Sequence, residues 1–393
     1  MLYSNFIENI LGTQGVKLKG FEFKGNIYEV EVEMPRKANK CPVCGEQTDR
    51  IHDYREQKVK GGQFNGYYIE LLYRKRRYRC PRCSKKFYED NSIVGRYQRM
   101  TGMMIMTVLE MLKGAESFTE IAQRMNITRP TVARLFKLLN REKPKELPEV
   151  LGIDEFRGNA NGEKFQVILT DLKEHKVLDI LPKRSENYLL RYFMSFPKEQ
   201  RQKVQYFVSD MYTPYVEVAK TCFPNAIHIV DRYHWIRQLL WAFENIRKRE
   251  QKRFSKGHRL YFKRSRQLLL KPFNCLKDDD QQVVLNILNL SDDLLEAYFY
   301  KEQLYVLLHE QDTKKRKKAF VEFADGMKQS GIHELERCAD TYYHWLTGIL
   351  ASLEYPYSNG FTEGCNNKIK VLKRVAYGYR NFDVFRNKIL FAF

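Results

Sequence analysis

Two aspartates close apolar runs, Asp154 in "VLGIDEF" and Asp210 in "YFVSDMY", and Glu363 opens the helical stretch "GFTEGCNNKIKVLKR" at 360–374. Counting from Glu363, Asn367, Lys370 and Arg374 fall at i+4, i+7 and i+11, so all four share one helix face. A single acid on a cationic face can simply favour the helix N-terminus. It can also be a metal-binding carboxylate flanked by phosphate contacts. Two acids at the ends of neighbouring strands, with a third from a later helix, can hold two Mg²⁺ (or Mn²⁺) ions about 3.5–4 Å apart for in-line phosphodiester displacement. Strand-end aspartates are often turn caps, so each acid alone is ambiguous. Asp231 in "HIVDRYH" reads as a neighbour of such a site and Glu155 as a bystander. Strand ends and helix face agree for Asp154, Asp210 and Glu363, and Lys370 and Arg374 would then grip phosphates.

Four cysteines form a second constellation. Cys41, Cys44, Cys80 and Cys83 give two CxxC pairs, "CPVCG" and "CPRC". A tight CxxC turn delivers two thiolates from one loop, and four satisfy one tetrahedral Zn²⁺. A closed thiolate set leaves no position for water, so this zinc would be structural. The surrounding "RKRRYRCPRCSKK" is dense in cations, and Arg74, Lys75, Arg76 and Arg77, interleaved with Tyr73, Tyr78 and Phe87, are candidates for DNA-backbone contact.

A third pattern is "SFTEIAQRMNITRPTVARLFKLL" at 117–139. Its apolar spacing packs two short helices across a turn at Asn126–Thr128, with Thr128 capping the second and Pro130 in its first turn. This is a helix-turn-helix signal. Arg129, Thr131 and Arg134 would face outward, where a recognition helix meets base edges and phosphates.

The elements that must position these residues follow from the periodicity. Alternation over 16–34 around Gly25-Asn26 predicts a hairpin. Strands are expected at 148–156, 163–172, 175–182, 203–210 and 225–231, with helices at 185–196 and 213–223 between the later ones. That order is α/β with a mixed sheet, and it matches an RNase H-like fold if the first and fourth strands are neighbours. Residues 233–350 are helical in pattern, an insertion large enough to be a subdomain. The predicted domains are a β zinc ribbon over 1–95, a helical helix-turn-helix domain over 96–145, and a mixed-sheet catalytic domain over 146–393 with an all-helical insertion at about 235–350. Trp235, Trp241 and Trp345 read as packing residues of that insertion. The alternative, that Trp235 stacks on a flipped base, rests on its place just after the fifth strand.

The chain has 393 residues and carries 68 Lys+Arg against 48 Asp+Glu, a net charge of +20. That excess argues for a polyanionic partner. No apolar run approaches the roughly 20 residues a membrane span needs. The start "MLYSNFIENI" lacks a cationic segment followed by an apolar one, and the paired cysteines suit a reducing compartment. The expected location is therefore the cytoplasm, in association with the nucleoid.

Taken together, "RRYRCPRCSKKF", the helix-turn-helix, "GIDEF", "VSDMYTPY", "IVDRYHWIRQ" and "SNGFTEGCNNKIKVLKRVAYGYRNF" resemble the ISL-three family of insertion-sequence transposases over nearly the whole chain. Glu363 with Lys370 looks like the E-x6-K pattern of DDE transposases. The resemblance implies a catalytic triad of Asp154, Asp210 and Glu363 with two Mg²⁺ on an RNase H-like domain. It also implies a DNA partner (terminal inverted repeats and target DNA) and a homodimer or higher oligomer on that DNA. Ser84 stands where a Gly often follows the second knuckle. The rival readings are a non-catalytic DNA-binding regulator, against which the three retained acids argue, and a stand-alone nuclease, against which the dedicated recognition modules argue.

Overall fold

The computed structural model describes residues 15–393, the side chain of His258 excepted, so the reading of the first ten residues lies outside the described residues. Two compact units emerge. One holds the residues up to Glu142 with Val371–Gly378 and Asn387–Phe393, and the other holds Lys143–Lys370 with Tyr379–Arg386. The first unit thus takes up two C-terminal segments that the predicted boundaries assign to the catalytic domain. One tie is Lys388, whose buried ammonium donates to the carbonyls of Leu112 (2.6 Å) and Gly114 (2.8 Å).

In the first unit, β1 (Lys17–Lys24) and β2 (Ile27–Glu33) form the expected antiparallel hairpin, with Gly25 at φ +64° in its turn. The short strands β3 (Asn39–Lys40) and β4 (Gln47–Thr48) pair around the first CxxC loop, and a long hairpin of β5 (Ile51–Phe64) and β6 (Tyr67–Arg79) follows. Its turn is Asn65-Gly66, both at positive φ (50° and 82°), as a two-residue hairpin of the primed type requires. β6 pairs with β2 in parallel and with β7 (Lys86–Tyr88) antiparallel.

Along β6 the buried face switches. Ile69, Leu71 and Tyr73 are buried, and then Arg76 and Tyr78. This corrects the reading of the basic run. Arg76 is only 4% exposed, bridging Glu89 at 3.1 Å and Glu33 at 3.3 Å, so it holds the ribbon together and offers nothing to a phosphate. Tyr73 and Tyr78 are core residues, the Tyr73 hydroxyl donating to Glu89 at 2.8 Å. Three helices complete this unit: α1 (Gly102–Met111), α2 (Phe118–Arg124) and α3 (Arg129–Phe136).

The second unit is built on a five-stranded sheet. It contains β8 (Val150–Arg157), β9 (Phe165–Asp171), β10 (Lys176–Leu181), β11 (Tyr206–Ser209) and β12 (Ile227–Val230), in the order β10-β9-β8-β11-β12. The first three strands are antiparallel; β11 is parallel to both β8 and β12. The first and fourth strands are therefore neighbours, as expected. On one face α4 (Glu186–Met194) and α6 (Thr213–Cys222) bury Leu189, Phe193, Tyr215 and Val218 against Leu151, Ile153 and Phe207; the short α5 (Lys198–Lys203) lies between them in sequence. On the other, α14 (Leu346–Glu354) and Phe361 pack on Val150, Val208 and Ile229. Gly348 permits this approach, because a Cβ there would stand 2.6 Å from Val230 Cγ2.

The insertion runs through α7 (Arg232–Glu250), α8 (Lys256–Arg264), α9 (Arg266–Leu270), α10 (Asp278–Leu288), α11 (Asp292–His309), α12 (Thr313–Gln329) and α13 (His333–His344) around its own apolar core. The chain ends in α15 (Gly360–Val375) and α16 (Phe382–Ala392). Trp235 is 0% exposed, edge-on to Phe320 and Tyr342, with its indole N–H on Ser352 Oγ at 3.1 Å. A fully enclosed indole cannot receive a base, so Trp235 is a packing residue. Trp235→Ala should cost about 3–5 kcal/mol of stability in denaturant titration, and an unpaired base in a DNA substrate should bring no rescue.

Candidate active site and nucleic-acid interface

β8 carries Asp154 and β11 runs directly into Asp210. Their parallel register pairs Leu151 with Phe207 and Gly152 with Val208; continuing it by two residues sets the aspartates level. β12 runs into Asp231, the N-cap of α7, and α15 brings Glu363 in its first turn. A ladder of polar contacts seats α15 on the sheet. Asn359 Nδ2 donates to the Ile153 carbonyl at 3.0 Å and the Asn359 backbone N–H to Asp231 Oδ1 at 2.8 Å. Thr362 shares a 2.8 Å hydrogen bond with Thr170 of β9, and Asn366 Nδ2 donates to Asp154 Oδ2 at 2.9 Å. Gly152 leaves room for Thr170, since a Cβ there would stand 2.4 Å from its Oγ1.

The result is a cluster of acids short of positive charge. Burial, and then the charges of Asp210, Glu363 and Glu155, push Asp154 up to about 7 against the stabilising N–H of Glu155. Burial and the charges of Glu155 and Asp231 likewise push Asp210 up to about 7, with Arg184 opposing. Glu363 is raised by burial and by Asp231, with Lys370 opposing. Buried Asp210 Oδ1 and Asp231 Oδ2 have no hydrogen-bond partner. Glu155 is different, because Arg184 donates to it at 2.5 Å. Orphaned carboxylate oxygens on Asp210 and Asp231, beside the raised proton affinities of Asp154, Asp210 and Glu363, are the donor set a hard divalent cation requires. One ligand atom each from Asp231, His234 and Glu363 lie within 4.8 Å of one another, and Asp154 and Asp210 are outside that group. The His234 imidazole is held below its ordinary range by burial.

The four cysteines also converge within 4.8 Å. Cys41 and Cys83 sulfurs are 3.5 Å apart, as are those of Cys44 and Cys80. Tetrahedral zinc at about 2.3 Å from each sulfur sets edges of about 3.8 Å, so the set fits. Burial opposes it, but the backbone N–H groups of Cys44 and Val43 bring the Cys41 thiol down to about 6. Each loop closes with a residue of positive φ after its second cysteine, Gly45 at 74° and Ser84 at 58°. The serine that departs from the expected glycine adopts the glycine's conformation.

Of the remaining cations on β6, Arg74 is exposed and lies over the Tyr54 ring at 4.1 Å, and Lys75 lies over Tyr88 at 4.5 Å. Arg77 is half-buried and clasps Asp53 with both arms of its guanidinium. α2 begins with a capping box of Ser117 and Glu120, Asn126 turns at φ 49°, and α3 follows from Thr128. Thr128 holds the N-cap position, but its hydroxyl bonds Thr131 Oγ1 at 2.9 Å and no backbone N–H. Arg129 and Arg134 are exposed and Thr131 half-buried; Thr131 and Arg134 border a cleft of about 780 Å³ with Lys60 and Arg99. Lys370 and Arg374 are both exposed, Lys370 donating to Asn367 at 3.1 Å.

A family model described as "Transposase", that of the ISL3 transposases, matches residues 151–389. The chain belongs to the ISL3 transposase family. Two further models agree: "zinc-finger of transposase IS204/IS1001/IS1096/IS1165" over 37–83 and "Helix-turn-helix domain of transposase family ISL3" over 89–140. The transposase for insertion sequence element IS1001 of Bordetella parapertussis is 28% identical over 404 residues, covering 100% of this chain and 99% of that protein. A protein of Lactococcus lactis subsp. lactis named ATP-dependent protease is 48% identical over 50 residues, 13% of this chain and 16% of the other, too short a stretch to bear on activity. This ISL3 transposase is thus an insertion-sequence transposase with DNA-binding domains, and among its described residues no helix is long and apolar enough to cross a membrane.

Sequence reasoning missed Asn359, just before α15, and Thr362 and Asn366 at i+3 and i+7 from it on the buried face of α15, and it passed over His234. The signal for the first three was a row of polar residues at core spacing.

Two expectations follow. Metal analysis should find one zinc per chain, and Cys80→Ser should lose both the zinc and the folded ribbon, read by protease resistance. The second concerns pH. The folded chain holds the Asp154 proton up to about 7, whereas the ordinary value is 3.8. Its contribution to stability is therefore fully present below about pH 4 and is lost as pH rises through about 7. In magnesium-free buffer, Asp154→Asn should gain melting temperature relative to wild type between about pH 5 and about pH 8, and added Mg²⁺ should reverse that gain.

Proposed function

We propose that this transposase binds the terminal inverted repeats of its element and cuts DNA at their ends, after which the freed 3′-hydroxyl attacks target DNA. Asp154, Asp210 and Glu363 would hold the two Mg²⁺ ions of a DDE site. The observation that carries this reading is the convergence of Asp154, Asp210 and Glu363, whose proton affinities burial and neighbouring carboxylates raise, around an Asp210 oxygen that has no hydrogen-bond partner. Bound there, the ions supply activation of the attacking oxygen and stabilisation of the leaving one. The protein's part is to orient. Asn366 turns the Asp154 carboxylate, Asn359 fixes α15 to β8, and Arg184 neutralises Glu155 so that it does not compete as a ligand. Lys370, exposed two helical turns beyond Glu363, would take a phosphate beside the site, and Arg374 another one turn further on. End recognition would fall to Arg129, Thr131 and Arg134 with Arg74, Lys75 and Arg77. Pairing two element ends calls for at least two such sites, hence a homodimer or higher oligomer on DNA.

Asp154→Ala, Asp210→Ala and Glu363→Ala should each reduce cleavage and strand transfer more than about 100-fold, because each removes several kcal/mol of transition-state stabilisation. Gel shifts on the same preparations should show end binding nearly unchanged. Near wild-type cutting by any variant would remove that residue from the triad.

A further inference from the structure

Glu363 belongs to a mutually close set of metal-competent groups that does not include the two aspartates with which the DDE reading groups it. Its carboxylate, an Asp231 oxygen and a ring nitrogen of His234 lie within 4.8 Å of one another. Asp231 is 2% exposed, and its Oδ2 is buried with no hydrogen-bond partner while Oδ1 is satisfied by the Asn359 N–H. A buried carboxylate oxygen left unsatisfied beside an imidazole and a second carboxylate has no apolar explanation. His234 is aimed there by its position three residues after the N-cap Asp231, its backbone N–H bonded to the Asp231 carbonyl at 3.2 Å. The same Asn359 that ties the start of α15 to the Ile153 carbonyl of β8 also donates its backbone N–H to Asp231, so one residue registers the start of α15 against both β8 and Asp231.

We infer that Asp231, His234 and Glu363 form the ligand set of one divalent cation, separate from the set at Asp154 and Asp210. An imidazole nitrogen in that set is accepted more readily by a first-row transition ion such as Mn²⁺ than by Mg²⁺, which keeps to oxygen donors. With Mn²⁺ supplied, this site would hold one ion through the nitrogen and two carboxylates, and Asp154 and Asp210 would hold the other. This inference rests on the metal-dependent reading above and deepens it.

The test is pulsed electron paramagnetic resonance on the full-length chain, zinc loaded, with Mn²⁺ as the probe and no DNA. Wild type should show nitrogen coupling to bound Mn²⁺. His234→Gln, which keeps a neutral oxygen donor and the helix, should lose that coupling while still binding Mn²⁺. Asp154→Asn should retain it. Absence of coupling in wild type, or its persistence in His234→Gln, overturns the ligand set. Loss of coupling in Asp154→Asn overturns the separation into two sets. The DDE reading fails on a different result: if Asp154 and Asp210 variants still cut element ends while the nitrogen coupling is present, the metal site stands and the assigned chemistry does not.

Discussion

Four carboxylates, Asp154, Asp210, Asp231 and Glu363, are held against their mutual repulsion at one end of a mixed sheet. In a chain of net charge +20, cations are plentiful, yet among the described residues the ion pairs bring one to Glu155 and none to these four. Burial and like charge raise the proton affinities of Asp154, Asp210 and Glu363 and would favour separation. The ladder from α15 to the sheet resists that separation: Asn359 to Ile153 and Asp231, Thr362 to Thr170, Asn366 to Asp154. Much of the second unit serves this constraint. The parallel β8, β11 and β12 deliver three acids, Asp154 from within β8 and Asp210 and Asp231 just past the ends of β11 and β12, and the close seats made by Gly152 and Gly348 let Thr170 and α14 reach their places.

The first unit solves a different problem. A small β-rich module has only a small apolar core of its own and gains from cross-links, of which it has two kinds. The four thiols gather two loops that are separated by the long hairpin. The buried Arg76 binds Glu33 and Glu89, joining β2, β6 and the segment after β7 through one guanidinium. Removing one partner of such a network leaves a buried charge unpaired, which costs more than the pair contributes. Of the cations proposed for DNA contact, Arg74 on the hairpin and Arg129 and Arg134 on α3 are exposed and free of such duties.

The two CxxC pairs, the helix-turn-helix spacing and the five strands were legible in the sequence because each is a local pattern whose period or turn chemistry survives in isolation. Asp154 and Asp210 could be picked out for the same reason, as polar residues ending apolar runs. The association of Asp231 and His234 with Glu363 could not, since it depends on how α15 returns to the sheet after the whole helical insertion. Nor could the fate of Arg76, which turns on a switch of the buried face between Tyr73 and Tyr78 that no alternation rule marks. One missed feature was legible: Asn65-Gly66 announces the long hairpin, and Ile51–Phe64 as its first strand. The C-terminal residues 387–393 packing with the N-terminal unit is a long-range matter of burial, visible only once Lys388 is seen capping carbonyls at the end of α1.

The central claim is that the carboxylate cluster places divalent cations on the scissile phosphate. Sulfur substitution of one non-bridging oxygen at that phosphate tests it most directly, because Mg²⁺ binds sulfur poorly and Mn²⁺ tolerates it. For one of the two stereoisomers, cutting of an end-bearing DNA by the purified chain should fail in Mg²⁺ and recover in Mn²⁺. Equal cutting of both stereoisomers in Mg²⁺ alone would contradict the account.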